Sequence, residues 1–153
     1  MRVIQNTLII GIVAGVAATA SMAQASDDPI QSRQAIMASV GAAAGLAGGM
    51  MKGEIPYNPV AGKAAIATMR AASVNFGDYF PAGSDQGKTG ATAKIWSDAD
   101  GFKAKMAKFA GASENAMKAA GKDGPADLDA FKAAFGPVFG SCKACHEDYR
   151  KKN

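Results

Sequence analysis

A run of five residues near the carboxyl end of the chain, Cys142-Lys143-Ala144-Cys145-His146, constrains the fold more than any other feature. In a helix, cysteines three positions apart share one face, with the histidine beside the second. A C-x-x-C-H run is typical of covalent haem attachment. A redox dithiol or a zinc site could also use C-x-x-C, but zinc needs four ligands and the chain has two cysteines and one histidine. The run also lacks the βαβ setting of a thioredoxin-like dithiol. The sequence therefore predicts one covalent haem c, with thioethers at Cys142 and Cys145 and His146 as proximal iron ligand.

The amino-terminal segment has the features of a secretory signal peptide. A charged Arg2 precedes a short apolar run at about 8–20, and an Ala-Gln-Ala cleavage site follows at 23–25. A transmembrane anchor is the alternative, but the apolar run is shorter than the roughly 20 residues that a span needs. We therefore predict a cleaved signal peptide at 1–25 and a single haem-binding domain at 26–153. Covalent haem of this kind is attached outside the cytoplasm, so we expect a periplasmic protein.

The charge distribution argues against a nucleic-acid partner. The chain has 17 basic and 13 acidic residues, and its lysines are dispersed without a basic stripe interleaved with aromatic residues. One small basic cluster, diluted by two carboxylates, lies at the carboxyl end: Lys143, Arg150, Lys151 and Lys152, with Glu147 and Asp148. Such a cluster is usually a solvated helix end, although it could steer an acidic redox partner.

The spacing of apolar residues predicts an all-α fold. Apolar positions alternate at intervals of three and four, and no stretch keeps a period of two. Glycine and proline separate the helices, and Gly136-Pro137 should kink the last helix or bend its entry to the haem site. Four helices with short connections most simply form an antiparallel up-down bundle. We place the helices at about 29–52, 60–77, 93–120 and 127–151, with a long polar loop at 81–92.

The group opposite His146 on the iron decides the function. The chain has no second histidine, and methionine is the strongest remaining ligand. In an antiparallel bundle Met37 lies about 12 Å from the end of the first helix, level with His146 on the last helix. Met50, Met51 and Met117 would lie near the far end of the bundle. Depth does not exclude Met69 and Met106, although both are more simply explained as core residues.

A family resemblance adds to these predictions. The haem motif stands at the carboxyl end, and further matching residues are Arg33, Lys52-Gly53, Pro56-Tyr57 and Lys94-Ile95-Trp96. With these residues the sequence resembles class II c-type cytochromes, the cytochrome c′ family, over nearly its whole length after the signal peptide. The resemblance implies a four-helix bundle that holds haem between its first and last helices.

The same resemblance assigns roles on the distal side of the haem. Many members of the family are high-spin and five-coordinate, with a bulky apolar side chain at the position of Met37, whereas low-spin members ligate iron through a methionine there. The resemblance thus implies a low-spin member in which Met37 is the distal ligand. It also implies that Arg33 lies near a propionate or the haem edge. Trp96 and Tyr57 are expected to pack at the ring's periphery.

These residues favour a small periplasmic electron carrier with His146 and Met37 as axial ligands. The alternative is a five-coordinate haem protein that binds nitric oxide or carbon monoxide, with Met37 as a steric cover. Peroxidase-like catalysis would need a distal acid–base group, so we expect no enzyme. The expected partners are periplasmic or membrane-bound redox proteins. A homodimer through the first two helices is also expected, because the small-residue surface at 41–49 would allow close helix approach.

Overall fold

A computed structural model describes residues 28–152 of the chain. Four long helices form an antiparallel bundle, as the sequence predicts. A 3₁₀ turn, Phe76–Tyr79, follows the second helix, and the polar loop after it contains no regular element until residue 94. The helices are α1 (Pro29–Lys52), α2 (Pro59–Asn75), the short α3 (Lys94–Ser97), α4 (Ala99–Ala120) and α5 (Leu128–Tyr149). The predicted signal peptide at 1–25 lies outside the described residues.

Short polar side chains fix where the helices begin. Asp28, Asn58, Asp98 and Asp127 each accept a hydrogen bond from a backbone N–H in the first turn of the helix that follows. These bonds satisfy donors that have no partner within the helix. Proline at the first position of α1 and of α2 fits the same pattern, because its missing N–H costs nothing there.

The core lies among all four long helices, and α1 contributes Val40, Ala47 and Met50 to it. Phe131, Phe135 and Val138 of α5 are fully buried, and they pack with Ile66 and Met69 of α2. Truncating a phenylalanine in such a core typically costs about 3–5 kcal/mol. The end of the bundle that holds residue 131 is thus solidly packed, and any cavity must lie elsewhere.

Two helix predictions need correction. The predicted helix at 93–120 is interrupted at Asp98, whose φ and ψ of −130° and 56° are not helical. Its side chain begins a new helix instead of continuing the old one. The predicted helix at 60–77 ends at Asn75, because the chain tightens into the 3₁₀ turn.

The first and last helices contain two further features. α5 runs through Pro137 as one helix, and the proline side of the helix is exposed.

The length and apolar composition of α1 would also allow a membrane span, a test that core helices of soluble proteins pass as well. Within the bundle α1 packs against α2 and α5.

Candidate haem-binding site

An apolar cavity of about 650 Å³ lies between α1, α4 and α5, at the end of the bundle away from the phenylalanine core. Its volume falls within the range of about 300–1,000 Å³ that is usual for cofactor and ligand sites. Each of the three helices contributes one wall. The α1 wall contains Arg33, Met37, Val40, Gly41 and Ala44, the α4 wall Phe102, Lys105, Met106 and Phe109, and the α5 wall Phe139, Cys142, Cys145, His146 and Tyr149.

The structure brings the three residues of the haem motif to this one cavity. Cys142, Cys145 and His146 all line it from the last two turns of α5. Both cysteines are half-buried free thiols. Burial raises the pKa of each thiol, so both remain protonated near neutral pH.

His146 occupies a position between the cavity and the solvent. Its side chain lines the cavity on one side and a shallow surface depression on the other. Burial, and next the charge of Arg150, lower the pKa of His146. The imidazole is therefore neutral at pH 7, the state in which a ring nitrogen can bind a metal.

The residues of the cavity fit a covalently bound haem. Two thiols and one neutral imidazole stand together on a single helix face, and the remaining walls are mostly apolar. A porphyrin is large, flat and apolar apart from its propionates, so it requires such walls. The donor set also suits iron, because imidazole is a common axial ligand of haem.

Met37 lies on the α1 wall, across the cavity from the haem motif. Its side chain is half-buried. On that wall, Arg33 and Gln34 precede it by one turn, and the residues after it, Val40, Gly41 and Ala44, are apolar. Of the six methionines weighed as ligands, only Met106 also reaches the cavity within residues 28–152. The other four, Met50, Met51, Met69 and Met117, pack in or against the core.

Arg33 is a buried cation at the edge of the cavity, with only 5% of its surface exposed. Its guanidinium donates to the carbonyl of Tyr79 at 2.7 Å, to the hydroxyl and carbonyl of Ser84 at 2.8 and 2.7 Å, and to Thr89 Oγ1 at 3.3 Å. It also lies over the ring of Phe80, 4.6 Å from the centroid. Burial lowers the pKa of Arg33, and Asp28 partly offsets this effect.

The two aromatic residues expected at the periphery of the haem lie farther away. Trp96 packs behind Phe80, with ring centroids 6.0 Å apart, and donates its indole N–H to the carbonyl of Pro81. Phe80 lines the cavity, whereas Trp96 does not. Tyr57 packs on Phe131 and donates to the carbonyl of Pro125, in the core at the other end of the bundle. The expectation for Tyr57 is therefore wrong.

Two polar junctions that hold the haem motif were not predicted from the sequence. Lys105 of α4 forms an ion pair with Asp148 at 2.8 Å and donates to the carbonyl of Ala144 at 3.1 Å. Tyr149 donates its hydroxyl to Asp98 at 2.7 Å. The paired residues are 39 to 51 positions apart in sequence, and no local pattern signals such contacts.

The family model for cytochrome c′ matches residues 28–150, which span all four long helices and the haem motif. The chain belongs to the cytochrome c′ family. Members of this family carry one covalently bound haem c per chain, as does this protein. The cofactor that the sequence predicts is thereby confirmed.

Curated relatives cover most of the chain. Cytochrome c-556 from Agrobacterium tumefaciens (strain II Chrys) is 34% identical over 123 residues, covering 80% of this chain and 97% of that protein. Cytochrome c′ from Alcaligenes xylosoxydans is 35% identical over 126 residues, covering 82% and 95%. These relatives are bacterial proteins.

Solved structures share the fold. Cytochrome c′ from Rhodopseudomonas palustris has a TM-score of 0.74 at 34% identity, covering 82% of this chain and 98% of its own. A nitric oxide complex of a leucine-to-alanine variant of cytochrome c′ from Alcaligenes xylosoxidans has a TM-score of 0.71 at 35% identity, covering 82% and 95%. A third cytochrome c′, with ligand-controlled dimer dissociation, has a TM-score of 0.73 at 27% identity and covers 81% and 95%.

These findings overturn the prediction of a low-spin electron carrier with His146 and Met37 as axial ligands. Proteins of the cytochrome c′ family are typically high-spin and five-coordinate, and the nitric oxide complex shows a gas bound to a member of similar sequence. A methionine on the distal wall is compatible with either arrangement, since a thioether can pack in an apolar wall as readily as it can bind iron. The position of Met37 alone therefore does not show that its sulfur binds the iron.

Proposed function

We propose that this protein is a five-coordinate haem protein that binds nitric oxide or carbon monoxide. In this proposal Cys142 and Cys145 form the two thioethers and His146 is the single axial ligand. The observation that carries the proposal is the cavity itself, where the haem motif faces the part of α1 that contains Met37, Val40 and Ala44. The family and the nitric oxide complex of a relative support it. When bound, the haem supplies an iron with one open coordination position.

The attachment chemistry follows from the state of the thiols. Each cysteine adds its S–H bond across one vinyl group: sulfur binds one vinyl carbon, and the hydrogen goes to the other. The addition needs no oxidant. Because Cys142 and Cys145 are three positions apart on one helical face, both can reach the same ring edge.

The distal wall suits a small neutral ligand. Met37 is half-buried and its neighbours Val40, Gly41 and Ala44 carry no polar side-chain atoms. A diatomic gas needs no charged partner, but it does need space. Met37 covers that space as a flexible side chain that can move aside.

Arg33 is proposed to face a haem propionate. The acceptors of its hydrogen bonds are neutral oxygens, so a propionate carboxylate would add a negative charge beside the buried guanidinium. Trp96 would not contact the haem itself. It would pack against Phe80, which lines the cavity.

The absorption spectrum of the purified holo-protein, oxidised and reduced, tests the proposed function. We expect a high-spin spectrum in both states and a shift of the reduced spectrum on addition of carbon monoxide. A low-spin spectrum that carbon monoxide leaves unchanged would overturn the proposal. The variant Met37→Ala identifies the cause of such a result, because it would restore a high-spin spectrum only if Met37 held the iron.

Several further properties are proposed with this function. The protein is exported to the periplasm after cleavage behind Ala25, so sequencing of the mature amino terminus should begin at Ser26. It binds its gas without turning it over, and a periplasmic or membrane-bound redox protein supplies the electron that reduces the iron. It forms a homodimer through α1 and α2, as the dimeric relative and the exposed apolar residues Val60 and Val74 suggest.

A further inference from the structure

The surface beside His146 carries an excess of positive charge. A shallow depression is lined by Lys143, His146, Glu147, Arg150, Lys151 and Lys152. Four of these residues are cations and one is a carboxylate, so the depression has a formal charge of +3. Residues 26–153 as a whole also have a formal charge of +3, because residues 1–25 contain one arginine and no acidic residue. The remaining residues of that domain therefore have a net formal charge of zero, so its excess of positive charge lies at this end of the molecule.

The carboxylates nearby do not cancel this charge. Glu147 lies 3.8 Å from Lys143, but both side chains are well exposed, at 63% and 80%, and such a pair is weak. Asp148 is already paired with Lys105 at 2.8 Å and with Lys94 at 3.4 Å. The four cations therefore face solvent largely uncompensated.

His146 connects this surface to the haem cavity. His146 and Arg150 are the two residues that line both the depression and the cavity. With His146 on the iron, a protein seated in the depression would be separated from the metal by one imidazole ring.

The lining of the depression favours a protein over a membrane. A membrane-binding surface combines cations with apolar side chains that enter the lipid, whereas the depression is lined only by charged side chains and His146. Complementary charge alone is sufficient to steer one protein onto another and to raise the rate of encounter.

We propose that the surface formed by Lys143, Arg150, Lys151 and Lys152 is the docking site of an acidic one-electron donor protein, which reduces the haem iron through His146. The inference rests on the proposed function, because carbon monoxide and nitric oxide bind best to reduced iron. One electron leaves the donor and one ferric iron becomes ferrous, so the step needs no proton and no further reactant.

Stopped-flow reduction of the ferric holo-protein tests the docking site, with a reduced plant-type ferredoxin of acidic surface as the probe. We expect the second-order rate constant to fall by at least about fivefold between low and physiological ionic strength, because salt screens the attraction. The double variant Lys143→Glu/Lys151→Glu, at two exposed residues that do not line the cavity, should react at least about fivefold more slowly at low salt and lose most of the salt dependence.

A matched double variant, Lys52→Glu/Lys132→Glu, provides the control. It makes the same change in net charge at sites outside the depression, and Lys52 has the same kind of exposed glutamate neighbour, at 3.7 Å. Equal slowing by both double variants would overturn the docking site, since net charge alone would then explain the rate. Loss of binding to phosphatidylserine vesicles in the Lys143 and Lys151 variant, with an unchanged reduction rate, would overturn it in favour of a lipid surface.

Failure of the docking site can be told apart from failure of the proposed function. Both double variants should keep the wild-type ferric spectrum and the wild-type response to carbon monoxide. A low-spin spectrum that ignores carbon monoxide would refute gas binding while leaving the salt dependence of reduction to be judged separately.

Discussion

In the proposed function, Met37 controls access to the distal side of the iron. Its side chain stands in the α1 wall, and a bound gas must share space with it. Moving a side chain away from its preferred rotamer costs about 0.5–1.5 kcal/mol. Met37→Ala removes that cost, so we expect the affinity of the reduced protein for carbon monoxide to rise between about twofold and about tenfold. Titration followed by absorption measures the change.

Met106 provides the comparison for Met37. It also reaches the cavity, but from α4, and it packs against both apolar clusters of the bundle. Met106→Ala should therefore lower stability and leave carbon monoxide affinity nearly unchanged. If the two variants raised the affinity equally, cavity volume and not the distal cover would be the controlling quantity.

Arg33 holds the polar loop that closes one side of the cavity. Removing its guanidinium in Arg33→Ala leaves the carbonyls of Tyr79 and Ser84 without their donor, and each such loss typically costs about 1–3 kcal/mol. We expect the free energy of unfolding to fall by about 2–4 kcal/mol and amide exchange in residues 81–92 to accelerate. Arg33→Lys keeps the charge but not the planar fork, so it should recover part of the stability only. Unchanged exchange in the loop of Arg33→Ala would contradict this role.

At the scale of helices, Asp98 joins the start of α4 to the end of α5. One carboxylate oxygen accepts from the N–H of Gly101 at 3.2 Å, and the other accepts from the hydroxyl of Tyr149 at 2.7 Å. Asp98→Ala should cost more than the roughly 1 kcal/mol of a lost helix cap, because it also leaves a buried hydroxyl unpaired. Urea unfolding of Asp98→Ala, Tyr149→Phe and the double variant measures the coupling. Additive losses would show that the two residues act independently.

The same junction should be sensitive to alkaline pH. Burial, and next the bond to Asp98, raise the pKa of Tyr149 to about 12. The folded state thus holds this proton more tightly than the unfolded chain, whose tyrosine has a pKa near 10. The stability from Tyr149 is fully present below about pH 10 and is lost as the pH rises towards 12. Between about pH 10 and pH 12, the free energy of unfolding of the wild-type protein should therefore fall towards that of Tyr149→Phe, as measured by unfolding experiments at each pH.

The elements show what could and could not be predicted from sequence. Proline and glycine are local signals, and they placed α1 at the bounds that the structure gives. The break at Asp98 depends on Tyr149, which is 51 positions away, so a continuous helix was the natural prediction. The haem motif identified the haem site for the same local reason, since Cys142, Cys145 and His146 share one face of a helix. The partners of Arg33 could not be predicted, because they lie on a loop whose path the periodicity does not specify.

At the scale of the whole molecule, Gly124 sets how closely the turn before α5 approaches α2. Its φ of +96° is unfavourable for other residues, and a β-carbon there would lie 2.2 Å from the carbonyl oxygen of Pro59. Gly124→Ala should lower the free energy of unfolding by more than about 2 kcal/mol. Gly111→Ala, in the open middle of α4, should instead raise it by about 0.5–1 kcal/mol. Equal effects in thermal unfolding would mean that the contact with Pro59 yields easily.

The proposed homodimer concerns the face that α2 turns to solvent. Val60 and Val74 are 73% and 64% exposed, and the exposed alanines Ala64 and Ala71 stand between them at helical spacing. Two such faces could bury one another, since small residues let helices approach closely. Val60→Glu/Val74→Glu should weaken dimerisation at least about tenfold in sedimentation equilibrium, because each new charge would be buried without a partner.

Ala119→Glu on α4 is the control for this experiment, since it adds a charge at an exposed site outside α1 and α2. It should leave the dimer intact, and all variants should retain the wild-type haem spectrum, because none of these residues lines the cavity. A wild-type protein that sediments as a monomer at high concentration would refute the interface outright. If the double valine variant stayed dimeric, the contact would have to lie on another face of the bundle.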